Sequence, residues 1–350
     1  MDIYRREVKN SIDYLVDKKG KFQFGTYSEG IKSINMIDAK KPFGFPASKR
    51  FKNFRLKEWE AFQAGNDNIF ILGAIYNTKA TALNQLLIYD KIEDKLYNYR
   101  KFCAPWKQVL SNGMYHSESK YISKVFSITI NNNIDEGTIT IKANIKGKKD
   151  LPDVSLDIVA FHTTEPIVIC QPFDDNRGLY SHKALMKMEG KLIFGEKTID
   201  FSENNAFTII DDHKGYYPFT VKYDWLTGCI NNKDKGLIGF NLTNNQIKDH
   251  NKFNENCLWA NGKMNVLPPV KFRRGIRHGK EVWIVQDKFD KVNIRFYPLT
   301  KFDVKFNYGL VYSDYEGPMG KLKGYIKDNN DKKIMLDNFF GMGEKKRYRI

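Results

Sequence analysis

Asp211, Asp212 and His213 stand side by side in the stretch Phe207 to Gly228, FTIIDDHKGYYPFTVKYDWLTG, and are the residues of this chain best suited to chemistry. Adjacent acids repel each other unless Lys214 or His213 compensates them, which raises a carboxyl pKa. A carboxylic acid kept neutral at the mouth of an aromatic-lined cavity is what protonation of an alkene or epoxide needs. On this reading Asp212 donates the proton, His213 or Tyr180 relays it, and the faces of Tyr216 and Tyr217 steady a developing cation. The same residues also make an ordinary loop. Gly215 and Pro218 mark a turn, the acids then sit in water, and Asp212 accepts backbone N–H bonds. Spacing alone leaves both readings open.

Further candidates surround this stretch. Phe219, Val221, Tyr223 and Trp225 alternate with Thr220, Lys222 and Asp224, so a strand here puts the aromatics on one face. An inward aromatic face suits a lipid or terpenoid, and it is also simply what a core looks like. Arg55, Lys57, Glu58 and Trp59 are expected to cap the same pocket, the alternative being an Arg55–Glu58 salt bridge beside a core tryptophan. Tyr180 and His182 share a face of an alternating run. Asp211 and Tyr217 flank the acid/base pair, and Glu255 (before Trp259) and Glu344 bring further carboxylates that would need cationic partners once buried.

The elements that must hold these residues read as strands almost throughout. Ile69 to Tyr76, Leu83 to Tyr89 and Leu96 to Phe102 form a meander. Phe126 to Ile130, Thr138 to Ala143 and Val154 to Phe161 continue it, and the half beyond residue 165 repeats the texture. Phe51 to Phe62 mixes two periods and reads as a strand, while Ile3, Val8, Ile12 and Leu15 are spaced for a helix. Many short strands must close or stack to hide their edges. An all-β protein of two consecutive antiparallel barrels uses the length, with an N-terminal barrel over 1–165 and a C-terminal barrel over 166–350 carrying the DDHKG motif.

Composition narrows the classes. Aromatic residues make up 14% of the chain, which marks a folded core and excludes a disordered chain. Lys and Arg number 57 against 41 Asp and Glu, a net charge of +16, so anionic partners must be weighed. The dense run Lys271 to Lys280 has glycines between strand-like flanks and reads as a hairpin tip. No helix-turn-helix, zinc-finger or RNA-recognition signature accompanies it, so no specific nucleic-acid partner is expected. Peripheral contact with an anionic membrane stays open. The four cysteines make no C-x-x-C pair and the six histidines no H-x-x-x-H or H-E-x-x-H, so no metal is expected. With no G-x-G-x-x-G, P-loop or G-x-S-x-G, neither a nucleotide cofactor nor a serine hydrolase is indicated. No signal-peptide pattern or membrane-spanning apolar run is found, and the expectation is a cytoplasmic protein with reduced thiols.

At Arg55-Leu56-Lys57-Glu58-Trp59, and over nearly its whole length, the chain resembles a bacterial family of uncharacterised proteins, domain of unknown function 2804. The likeness runs through Gly25-Thr26-Tyr27, Tyr180-Ser181-His182-Lys183, Asp211 to Gly215, Tyr223-Asp224-Trp225, Gly239 to Leu242, Asn254 to Trp259, Gly317 to Gly324 and Gly341 to Glu344. More distantly, Tyr-Ser followed by Asp-His-x-Gly and Asp-Trp resembles the lipocalin-like superfamily of carotenoid 1,2-hydratases and related lyases and cyclases. That superfamily's acid-His-x-Trp-Gly stands here as Asp212-His213-Lys214-Gly215, with no Trp directly before the glycine. The resemblance implies two lipocalin-like barrels around an apolar pocket. Three functions follow as expectations: a binder of an apolar or amphipathic small molecule with cofactor-independent hydratase, isomerase or cyclase chemistry; a carrier without chemistry; or an interaction protein for anionic membrane or nucleic acid.

Overall fold

Period-two patterning becomes strand after strand in the computed structural model, which describes residues 4–300, 302–309 and 311–349. In Thr138–Ile145, Ile139, Ile141, Ala143 and Ile145 are buried while Thr138, Thr140, Lys142 and Asn144 lie outward, as alternation requires. The one α-helix among the described residues is Lys49–Arg55.

Two sheets result. The first runs Lys95–Cys103, Ala82–Asp90, Ile69–Asn77, Lys57–Gly65, Phe207–Gly215, Gly178–Phe194, Val154–Phe161, Thr138–Ile145, Phe126–Asn133, Ser117–Ile122 and Gln108–Val109. It curls around Phe62, Ile71, Ile88, Ile128, Ile141 and Ile158. Gln108 helps to stitch the curl, its Nε2 donating to Leu83 O at 3.2 Å and Asn84 Oδ1 at 2.8 Å. The second runs Lys263–Val266, Cys257–Ala260, Gly236–Asn244, Thr220–Asn232, Phe340–Arg349, Met319–Lys327, Val292–Pro298, Lys280–Gln286 and Lys271–Arg277, around Phe240, Trp283, Phe296 and Leu322. A third apolar cluster joins the two sheets, with Phe70, Leu185 and Ile209 meeting Trp225, Trp259 and Met342.

The long strand Gly178–Phe194 is the hinge of the first barrel. Its early residues pair with Ile167–Pro172 and Phe207–Gly215, its later ones with Val154–Phe161 and Lys197–Phe201. It bends at Gly190, where φ is +135° and a Cβ would stand 2.1 Å from Asp157 O, a place only glycine fits. One end of the barrel is plugged by the amino-terminal segment, whose Leu15, Ile31, Ile34 and Met36 pack on Val168, Tyr180 and Tyr216.

Four expectations differ from this arrangement. Val8, Ile12 and Leu15 lie on extended chain: Val8 is exposed on a short strand beside Thr26, Ile12 and Leu15 pack on the barrel end, and Ile3 lies outside the described residues. Phe51 to Phe62 is divided: helix Lys49–Arg55, capped by the Ser48 hydroxyl accepting from Phe51 N–H at 3.2 Å, gives way to strand Lys57–Gly65. Asp211 to Gly215 is no solvated loop but the buried end of strand Phe207–Gly215. That strand is bonded on one side to Lys57–Gly65 and on the other to Gly178–Phe194, so the DDHKG motif belongs to the first sheet. The passage between sheets falls between Gly215 and Thr220, not at residue 165, because strand Phe207–Gly215 returns to fill the place beside Lys57–Gly65.

Candidate functional site

Successive side chains of a strand face opposite ways, and this splits the motif. Ile209, Asp211 and His213 face the second sheet, whereas Ile210, Asp212 and Lys214 face the interior of the first barrel. Cross-strand register then decides the company each group keeps. Asp211 lies opposite Lys183 and Ala61; His213 lies opposite Ser181 and Trp59. From the second sheet Glu255 arrives on the segment before Cys257–Ala260, its main-chain oxygen accepting from Asn241 Nδ2 at 2.8 Å.

These residues form a charged floor. Lys183 Nζ is 2.6 Å from Asp211 Oδ2 and 3.7 Å from Glu255 Oε2. His213 Nδ1 is 2.5 Å from Asp211 Oδ1, its Nε2 is 3.5 Å from Glu255 Oε2, and the Ser181 hydroxyl donates to that same oxygen at 2.9 Å. Burial opposes the charge on His213, but Asp211 outweighs it, against the repulsion of Lys183 and helped by Glu255, and holds the imidazole above its ordinary pKa. Burial likewise opposes the Lys183 ammonium, and Asp211 and Glu255 reverse that into a raised pKa. Burial alone would raise both acids; Lys183 first and then His213 hold Asp211 and Glu255 below the usual carboxylate range. The floor therefore favours the charged form of each of its four groups, two cations set against two anions.

Over it stands a cleft of about 310 Å³ between the sheets. The Trp59 indole stacks on the His213 ring, centroids 4.5 Å apart at 22°, and also touches Tyr76 and Tyr217 at 5.5 and 5.6 Å. Phe102, Phe173, Tyr223, Trp225, Phe302 and Tyr315 complete an aromatic wall. Glu344 is held by two phenols, Tyr223 OH at 2.8 Å and Tyr315 OH at 2.6 Å; burial, then Glu344 itself, keeps both tyrosines protonated. Lys346 stands on the same face, 5.0 Å from the Tyr76 ring centroid and 5.5 Å from that of Tyr223. Among the described residues no carboxylate pairs with Lys346, Arg100 or Lys222, all of which line the cleft. The free charge of the cleft is positive.

Eight of the residues singled out from sequence meet at this cleft: Trp59, Asp211, His213, Tyr217, Tyr223, Trp225, Glu255 and Glu344. Seven do not. Asp212 points into the barrel with Lys214 Nζ 2.9 Å from its Oδ1, so Asp212 and His213 cannot work on one substrate, and the partner of His213 is Asp211. Tyr180 and His182 lie on the same interior side, fully buried. Burial, then the nearness of Asp212, raises Glu60 to about 7, and burial also raises Asp212 despite Lys214. The raised acid expected from sequence is thus present, but sealed in the barrel. Arg55 supports the wall from behind, donating to Tyr217 O at 3.0 Å; Lys57 donates to Thr78 O, Glu58 pairs with Lys79, and Trp259 donates to Glu165 O at 3.0 Å within the core.

The sequence singled out Lys183 only as a neighbour of His182, and it passed over Tyr76, Arg100, Tyr315 and Lys346. Lys183 comes to lie opposite Asp211 once the strands are paired; the others reach the cleft from distant strands and carried no signal. Among the described residues no group of three or more His, Cys, Asp or Glu is placed to hold a metal, and the Lys183 ammonium takes up the space between Asp211 and Glu255.

Comparison with known structures sets this geometry in a fold. The chain is similar to CghA with Sch210972 (TM-score 0.51, 9% identity, covering 84% of this chain and 88% of that one) and to CghA alone (0.53, 10%, the same coverages). It is also similar to kievitone hydratase from Nectria haematococca (0.51, 12%, 83% of this chain and 88% of that one). At such identities the likeness shows the fold, which is all-β with two lipocalin-like antiparallel barrels. No curated protein matches the chain. The family model for a domain of unknown function, DUF2804, matches residues 5–350, and the chain belongs to that family.

Proposed function

We propose that the inter-sheet cleft binds an amphipathic small molecule and that His213 acts on it as a general acid, without a cofactor. The observation that carries this reading is the placing of the His213 ring, fixed between Asp211 and Glu255 and covered by Trp59, at the floor of an aromatic cleft. The aromatic wall takes the apolar body. Lys346, Arg100 and Lys222 favour a ligand that also carries an anionic group, since every acid lining the cleft already has a hydrogen-bonding or ionic partner.

The Nε2–H of His213 faces Glu255 at 3.5 Å, too long for a firm hydrogen bond, and is the proton free to move. In a hydration, the π pair of a polarised C=C bond takes this proton, water adds at the other carbon, and the proton that water loses restores the imidazolium. Isomerisation differs only in that a carbon-bound proton, not water, restores it. The name of one fold neighbour, kievitone hydratase, agrees with this class and adds nothing about the substrate.

The test starts with native mass spectrometry of the purified protein and solvent extraction of the ligand it retains. Incubated with that ligand in D2O, the wild type is expected to place deuterium on carbon, and His213→Gln to bind without doing so. A ligand that is bound and released unlabelled by the wild type would leave a carrier; an empty cleft that refuses an acidic lipid library would sink the binding itself.

A further inference from the structure

Residues 40–57, KKPFGFPASKRFKNFRLK, contain no Asp or Glu, and they include the one α-helix among the described residues. That helix, Lys49–Arg55, is amphipathic the wrong way round. Its single buried residue is Lys52, whose ammonium donates to Ile37 O and, at 3.0 Å, to Ala39 O. Phe51 and Phe54, three residues apart on the outer side, are 43% and 52% exposed, and Phe45 in the preceding loop is 54% exposed. The rings are not loose. Phe43 packs edge-on against Tyr216 at 5.1 Å and against Phe51 at 5.4 Å, with Phe45 at 5.9 Å, so the aromatic group is anchored to the barrel end. Lys40, Lys41, Lys49 and Arg50 surround it, all exposed, and none takes part in an ion pair among the described residues.

From this we infer that the 40–55 segment is a docking surface for an anionic lipid bilayer, with Phe45, Phe51 and Phe54 entering the headgroup region and the four cations on the phosphates. Charge complementarity selects this occupant. Phenylalanines ringed by unpaired cations match an interface that is apolar within and negative at its surface, whereas a second copy of the same patch would set cation against cation. The inference does not depend on the chemistry proposed for the cleft, and it gives the cleft a source of ligand: Arg55 closes the helix and binds Tyr217 O, and Tyr217 is part of the cleft wall.

The test is co-sedimentation of the full chain with phosphatidylcholine vesicles, with and without phosphatidylglycerol. The wild type should sediment only with the anionic vesicles, and less as salt is added. Each cation near such a surface contributes roughly fivefold in binding, so Lys49→Glu with Arg50→Glu should weaken it by at least about 25-fold. Phe45→Ser, Phe51→Ser and Phe54→Ser together should abolish it while the melting transition stays in place. The inference fails if the wild type ignores anionic vesicles, or if the charge-reversed variant binds like the wild type. It also fails if the serine variant dissolves a dimer in sedimentation velocity and leaves vesicle binding intact.

Discussion

Each ion on the cleft floor is buried, so none can be removed singly without stranding the others. Asp211 touches both Lys183 and His213. Asp211→Asn is therefore expected to cost about 3–5 kcal/mol in urea denaturation and to lower the His213 pKa, read from its imidazole proton shifts; an unchanged His213 titration would show that Asp211 does not hold the charge. The sign for His213 follows from its raised folded pKa. Its stabilising contribution is complete below the unfolded value and is lost as pH rises through the folded one. Trp59→Ala is expected to weaken ligand retention and expose the ring of His213, which faster modification by diethyl pyrocarbonate would report.

Strands impose a different constraint. A strand that must serve two sets of partners has to bend, and Gly178–Phe194 does so at Gly190, against the carbonyl of Asp157. Gly190→Ala should destabilise the protein by about 1–3 kcal/mol or more through strain. Gly137→Ala offers the contrast: it too has positive φ, +77°, but open space around it, and should cost only about 1 kcal/mol. Equal losses in urea midpoint would mean that the contact with Asp157 is not what reserves residue 190 for glycine. Alternation in the neighbouring strand Phe207–Gly215 does the sorting that matters for function, sending Asp211 and His213 to the cleft and Asp212 and Lys214 into the barrel.

Across the whole molecule the two charged layers pull stability in opposite directions with pH. Asp211 and Glu255, held low, stabilise above their unfolded values, and that contribution goes as pH falls through the acid range. Glu60, raised to about 7 from 4.5, stabilises fully below 4.5 and loses its contribution as pH rises towards 7. The loss is at most about 3 kcal/mol. Stability should peak in mildly acidic solution, and Glu60→Gln should flatten the decline between pH 4.5 and 7; urea midpoints that fall as steeply in the variant would assign the decline elsewhere. Composition and period-two patterning by themselves determined an all-β chain, because burying one face of a strand needs nothing beyond local alternation. They also picked out His213, Asp211, Trp59, Tyr217 and Glu255 as groups worth watching. Which pair meets the cleft was beyond them: alternation sets Asp211 and His213 on one face and Asp212 and Lys214 on the other, but does not say which face looks to the cleft. That choice rests on pairing Phe207–Gly215 with Lys57–Gly65, strands more than a hundred residues apart, and on the second sheet bringing Glu255, Glu344 and Lys346 across. Register between distant strands is set by the packing of whole sheets, so the site came into being only with the tertiary structure.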